Sequence, residues 1–112
     1  MTNQEVFDAA LAEFRKESLA VIWNRDLMVV NQREMARTEM EAEQLPQVVA
    51  GSNATARAAL KAAALEKHAH YAEIREAHAT ADREMRQAQV NADVARYTMR
   101  MAIAAEGATN DE

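Results

Sequence analysis

The chain has no cysteine, one proline, two glycines and aromatic side chains at only 4% of its 112 positions. Without cysteine, neither a disulfide framework nor a thiolate metal site can form, which fits a reducing cytoplasm. With so few turn-forming residues the backbone reverses direction only once or twice. With so few aromatics, the apolar content of 49% rests largely on alanine and seven methionines, so the side chains available for burial are small or flexible. Helices of this composition bury little surface by themselves, and self-association is the expected remedy. Nor is there a long hydrophobic run. The richest one, Leu19 to Val30, is broken by Asn24, Arg25 and Asp26 and is too short and too charged to span a bilayer. Met1 to Asp8 has neither the basic patch nor the apolar run of a signal peptide, so the expectation is a cytoplasmic protein with no membrane partner.

What the chain does have is helical periodicity. From Asn53 to about Ala105 there is no glycine or proline. Leu60, Ala64, Tyr71, Ile74, Ala81, Met85, Ala88, Ala92, Ala95, Met99 and Ala102 recur at alternating steps of four and three. That spacing holds one stripe on one side of a helix, and a seven-residue repeat favours a coiled-coil partnership. An earlier helix, residues 4 to 44, begins at a capping Thr2 or Asn3, with Glu5 and Asp8 suited to the positive helix start. Phe7, Leu11, Phe14, Val21, Met28 and Met35 form its stripe, with Ser18, Arg25 and Gln32 at the intervening sites. Leu19, Ile22, Trp23, Leu27, Val29 and Val30 make its middle apolar on most sides, which marks a contact with several helices. A break at Asn24-Arg25-Asp26 is the competing reading. Pro46 biases Leu45 away from helical geometry, so the linker is residues 45 to 52, closing on a Gly51 free to adopt positive φ and a capping Ser52 or Asn53. Residues 107 to 112 read as a disordered tail.

The expected architecture is all-α, a long antiparallel helical hairpin in one domain, dimerising into a four-helix arrangement. Helix two would be roughly 75 to 80 Å long and helix one roughly 60 Å. Folding back at the linker sets Phe14 near Arg83, Trp23 near Ile74 and Phe7 near Val90, with Phe7, Phe14 and Trp23 filling the spaces of the alanine seam. Beyond Ala92 helix two then has no partner within the chain, although it still carries Val94, Tyr97, Met99, Met101 and Ile103. The residues expected to carry self-association are therefore Trp23, Leu27, Val30, Val94, Tyr97, Met101 and Ile103.

Catalytic and metal chemistry find little to use, and the protein is expected not to be an enzyme and to need no cofactor or metal. His68 and His70 point roughly 200° apart on a helix and cannot chelate together. There is no glycine-rich phosphate loop and no G-x-S-x-G turn. His78 falls on the seam, as a buried histidine or as a pH-sensitive interface. Charge is more suggestive. The net charge is −5, yet helix two is slightly basic. Lys61, Arg75 and Arg96 share one heptad position, and Arg86 and Arg100 share the next, a broken basic flank that could follow a phosphate backbone. Asp82 and Asp93 interrupt it, and pairing of the arginines with acids of helix one, such as Glu13 and Glu17, is the simpler role.

The junction Gly51-Ser52-Asn53-Ala54-Thr55-Ala56-Arg57 leads into an Ala/Leu-rich helix with Tyr71 near its first third and Arg96 and Arg100 towards its end. Over residues 45 to 103 this G-x-N-x-x-x-R pattern resembles small helical phage and prophage proteins, some encoded among recombination and replication genes. The resemblance implies an accessory protein that works through partners. The leading expectation is an oligomerising protein-protein interaction module. The alternatives are a DNA-contacting accessory factor using the basic flank and a small acidic inhibitor of a host protein.

Overall fold

The computed structural model describes residues 1–110, the last two by backbone alone. It contains four helices, α1 (Asn3–Glu43), α2 (Pro46–Val49), α3 (Ala54–Glu66) and α4 (Ala69–Asn110), and no strand among the described residues. The all-α expectation holds.

Helix α1 starts where Thr2 Oγ1 accepts the Glu5 amide at 3.1 Å. It runs unbroken through Asn24-Arg25-Asp26, where Asn24 Nδ2 donates to Ala20 O of its own helix at 2.9 Å. The amides of Gln44 and Leu45 close its last turn on Glu41 and Ala42. Leu45 is extended, as a residue before proline must be. The linker is not all loop: Pro46 opens the single turn α2 at the one helical position where a missing N–H costs nothing, and Val48 is buried there.

The junction into α3 accounts for the Gly51-Asn53-Arg57 pattern. Asn53 Oδ1 accepts the Ala56 amide at 2.8 Å, and Arg57 Nη1 donates to Gly51 O at 3.2 Å. Gly51 does not have positive φ. Glycine is required instead for close approach, since a Cβ here would lie 2.7 Å from Arg57 Cγ and 3.0 Å from its backbone nitrogen. Gly51→Ala and Asn53→Ala are each expected to lower stability by about 1 kcal/mol. Urea denaturation followed by circular dichroism checks both.

Helix two is not one helix from Asn53 to Ala105. It breaks at Lys67–His68, where α3 ends and α4 begins. His68 Nδ1 accepts the amide of Tyr71 at 3.1 Å, acting as the cap of α4. The break carries α3 off the stripe, so Leu60 is exposed and α3 has no buried residue. At its other end α4 passes through Gly107 to Asn110, so residues 107–110 of the expected tail are helical; Asp111 and Glu112 lie outside the described residues.

The chain divides into two compact units, one made of Met1–Arg25 with the part from Asp82 onward, the other of Asp26–Ala81. In the first, α1 and α4 run antiparallel. Asn3 Nδ2 donates to Glu106 Oε2 at 3.3 Å, and the Arg96 guanidinium lies 5.4 Å from the centre of the Phe14 ring. Phe14 therefore faces Arg96, not Arg83, nearly two heptads from the expected register. The expectation assumed a tight fold-back at the linker, whereas α2 and α3 occupy the corner. As a result the end of α4 is no overhang: Asn3 and Phe7 line a hollow together with Ala102, Ile103 and Glu106.

The seam of α4 in this unit is the expected one, with Ala88, Ala92, Ala95 and Ala102 buried and Met85 and Met99 half-buried. The seam of α1 is rotated from expectation. Its residues are Phe7, Ala10, Phe14, Glu17, Val21 and Asn24, so that Ala10, Glu17 and Asn24 replace Leu11, Ser18 and Arg25. Of these three, Ala10 presents a small side chain to the alanine helix, while Glu17 and Asn24 bring polar groups into the seam.

In the second unit, Met28, Asn31, Met35, Thr38 and Ala42 continue the α1 seam, and Tyr71, Ile74, His78 and Ala81 form that of α4. Thr38 Oγ1 donates to Glu34 O at 2.9 Å, satisfying its hydroxyl within its own helix. Lys61 on α3 reaches Glu43 on α1 at 2.7 Å, and the Tyr71 hydroxyl donates to Glu39 Oε1 at 2.7 Å.

Candidate functional site

The distribution of apolar side chains is inverted relative to an ordinary core. Most buried apolar residues are alanines, whereas Trp23, Tyr97, Val94, Val30 and Ile103 are each about 60% exposed or more. Helical geometry explains the inversion. Leu19, Trp23 and Val30 follow the seam residues Glu17, Val21 and Met28 by two positions; Val90, Val94, Tyr97 and Met101 likewise follow Ala88, Ala92, Ala95 and Met99. Two positions are roughly 200° around a helix, so each helix carries a second heptad stripe of large apolar residues on its far side. Single exposed apolar residues are unremarkable, but a run along one helix face marks an interaction site.

All seven residues expected to carry self-association are exposed: Trp23, Leu27, Val30, Val94, Tyr97, Met101 and Ile103. The reason differs from the one expected. Val94, Tyr97 and Met101 are not beyond the reach of α1; they stand on the side of α4 that faces away from it. Trp23 does not fill a space in the alanine seam, being 66% exposed, whereas Phe7 and Phe14 are half-buried there. Within the first unit the two stripes, Leu19 and Trp23 on α1 and Val90 to Met101 on α4, face opposite ways.

The cations of the expected basic flank have local roles. In the second unit Lys61 is paired with Glu43, and the Arg75 guanidinium lies 6.0 Å from the centre of the Tyr71 ring. The hydrogen bond to Glu43, opposed by burial, raises the Lys61 pKa above its ordinary value. In the first unit Arg86 pairs with Asp82 at 3.2 Å, and Arg96 sits over Phe14 with Asp93 at 3.9 Å. Arg100 is exposed.

The histidines hold no convergent constellation. His70 approaches the half-buried Glu34 at 3.4 Å and the exposed Glu73 at 4.0 Å, and no group of three potential metal ligands occurs among the described residues. His78 lies on the seam of the second unit with Nδ1 buried and lacking a hydrogen-bond partner, as is Asn24 Oδ1 on the seam of the first. No described helix is long and apolar enough to cross a membrane.

Tyr71 is the titratable group most deeply built into a seam. The hydrogen bond to Glu39 raises its pKa above the ordinary phenol value, and burial adds to the shift, with Arg75 opposing it. A raised pKa means the folded state holds the proton more tightly than the unfolded chain. This contribution is complete below about pH 10 and is lost as pH rises through the folded-state value. Tyr71→Phe is expected to cost about 1.5 kcal/mol at neutral pH. Its denaturation midpoint should also fall less steeply than that of the parent above pH 10.

Two features escaped sequence reasoning. The cap formed by His68 has no compositional signal, because histidine is not a favoured capping residue. The polar seam of α1 was detectable: Ala10, Glu17, Asn24, Asn31 and Thr38 repeat strictly every seven residues. No family model, curated protein or solved structure matches this chain.

Proposed function

We propose that this protein is a non-enzymatic helical module that acts through protein-protein association, beginning with a second copy of itself in a four-helix arrangement. The observation that carries this reading is the inversion: alanines in the seam and Trp23, Val94, Tyr97 and Met101 outside it. Fully burying a large apolar side chain is worth about 1.5–3 kcal/mol, so leaving this set in water forfeits a stabilisation that an alanine seam cannot replace. The resemblance of the Gly51 to Arg57 junction to small phage proteins suits the same role, an accessory protein that acts through partners.

Light scattering over a range of concentrations tests the reading. A mass rising from 12.5 kDa towards twice that value is expected. Fluorescence of the sole tryptophan provides a second readout if Trp23 joins the interface. Tyr97→Glu should weaken association at least a hundredfold, since a charge would enter an apolar contact. A mass of 12.5 kDa throughout overturns the reading. The DNA-contacting alternative has less support, because Lys61 and Arg86 already have carboxylate partners. Duplex binding at low salt that collapses at higher salt would reverse that preference.

A further inference from the structure

Resting on the self-association reading, we infer where the second copy docks: antiparallel on the outer stripe of α4, about a two-fold axis between Val94 and Tyr97. Val90, Val94, Tyr97 and Met101 keep the four-three spacing of a coiled-coil seam, and all are exposed. Pairing two such stripes antiparallel sets Val94 against the partner's Tyr97 and Val90 against the partner's Met101. Each layer, repeated by the two-fold, matches a β-branched residue with a longer one. The layer beyond brings Gln87 to the partner's Ala104, again long against short.

The flanks of the stripe select this orientation. One flank holds Asn91 and Thr98, uncharged and already bonded: Asn91 Oδ1 accepts from Gln87, and Thr98 Oγ1 donates to Val94 O. The other holds Asp93 and Arg100, one acid and one base a heptad apart, both exposed, with Asp93 also 3.9 Å from Arg96 of its own helix. In the antiparallel pair, Asp93 meets the partner's Arg100 and Arg100 meets the partner's Asp93. In a parallel pair, residues of this flank meet those of the opposite flank, so Asp93 faces the partner's Thr98 and no opposite charges meet. The charges are therefore complementary only in the isologous antiparallel arrangement, which closes at two copies. The α1 stripe, pointing the other way in this unit, stays outside the contact.

Charge exchange provides the test, by analytical ultracentrifugation with circular dichroism confirming unchanged helicity. Asp93→Arg alone and Arg100→Asp alone should each weaken the dimer roughly tenfold, because two attractive contacts become repulsive. The double variant should recover the parent affinity. Mixing the two single variants should produce a heterodimer favoured over either homodimer, since both contacts then become complementary again. Because the chain has no cysteine of its own, a chain with Val94→Cys mixed with one carrying Tyr97→Cys should oxidise to a cross-linked heterodimer. If all charge variants dimerise like the parent while Trp23→Glu yields monomers, the second copy sits on α1; this docking is then overturned and the self-association reading stands. A parent protein that is monomeric at every concentration overturns both.

Discussion

Ala88→Leu is expected to destabilise the protein by about 3 kcal/mol, although leucine is among the better helix formers. Ala88 is 3% exposed, in the middle of the α4 seam and between the buried Ala81 and Ala92. Helices that meet through alanine approach until their backbones nearly touch, and a branched side chain inserted there forces them apart over more than one turn. The same substitution at the exposed Ala77 on α4 should change stability by less than about 0.5 kcal/mol. Urea denaturation of the two variants at one fixed protein concentration separates packing from propensity; fixed concentration matters because association adds to apparent stability. Equal midpoints for Ala88→Leu and the parent would mean that the seam is not close-packed.

Ile74→Ala is expected to cost about 3 kcal/mol by the opposite mechanism. Ile74 is 7% exposed, and with Tyr71 and Val48 it makes up the large buried apolar side chains of the second unit. Removing it leaves a cavity bordered by helices that other bonds hold in place, among them Lys61 to Glu43 and Tyr71 to Glu39. Hydrogen exchange resolves where the loss falls. Amides between Asp26 and Ala81 should lose more protection than those of the first unit. Loss spread evenly over the chain would show that the two units open together.

The all-α class was legible because long stretches lack glycine and proline and repeat every seven residues, and α4 buries the stripe that its alanines mark. The α1 seam was misjudged for a physical reason. Phe7 has an apolar neighbour on either side of the stripe, Leu11 or Ala10, and hydrophobicity favours the larger one. Against an alanine helix, however, the closest approach favours the smaller one, and Glu17, Asn24 and Thr38 follow it inward. The register was misread because a linker containing the only proline suggests a tight reversal, whereas α2 and α3 fill the corner. The break between α3 and α4 depends on a ring nitrogen accepting one backbone amide, which periodicity does not encode. The exposed apolar set was identified correctly as residues, but their exposure follows from face rather than from helix length.

The strict repeat of the two seams in the first unit carries a cost in uniqueness. Slide α4 along α1 by one heptad and seam again meets seam: Ala88, Ala95 and Ala102 replace one another, while Ala92 trades places with Met85 or Met99. Translation by seven residues is thus a symmetry of the Ala88, Ala95 and Ala102 levels alone. The features that break the degeneracy are few: the alternation of Met85 and Met99 with Ala92, the Phe14 ring under Arg96 and the bond from Asn3 to Glu106. A shortage of aromatic side chains therefore limits more than core volume. It leaves two flexible methionines and a single ring contact as the marks by which one sliding position differs from the next.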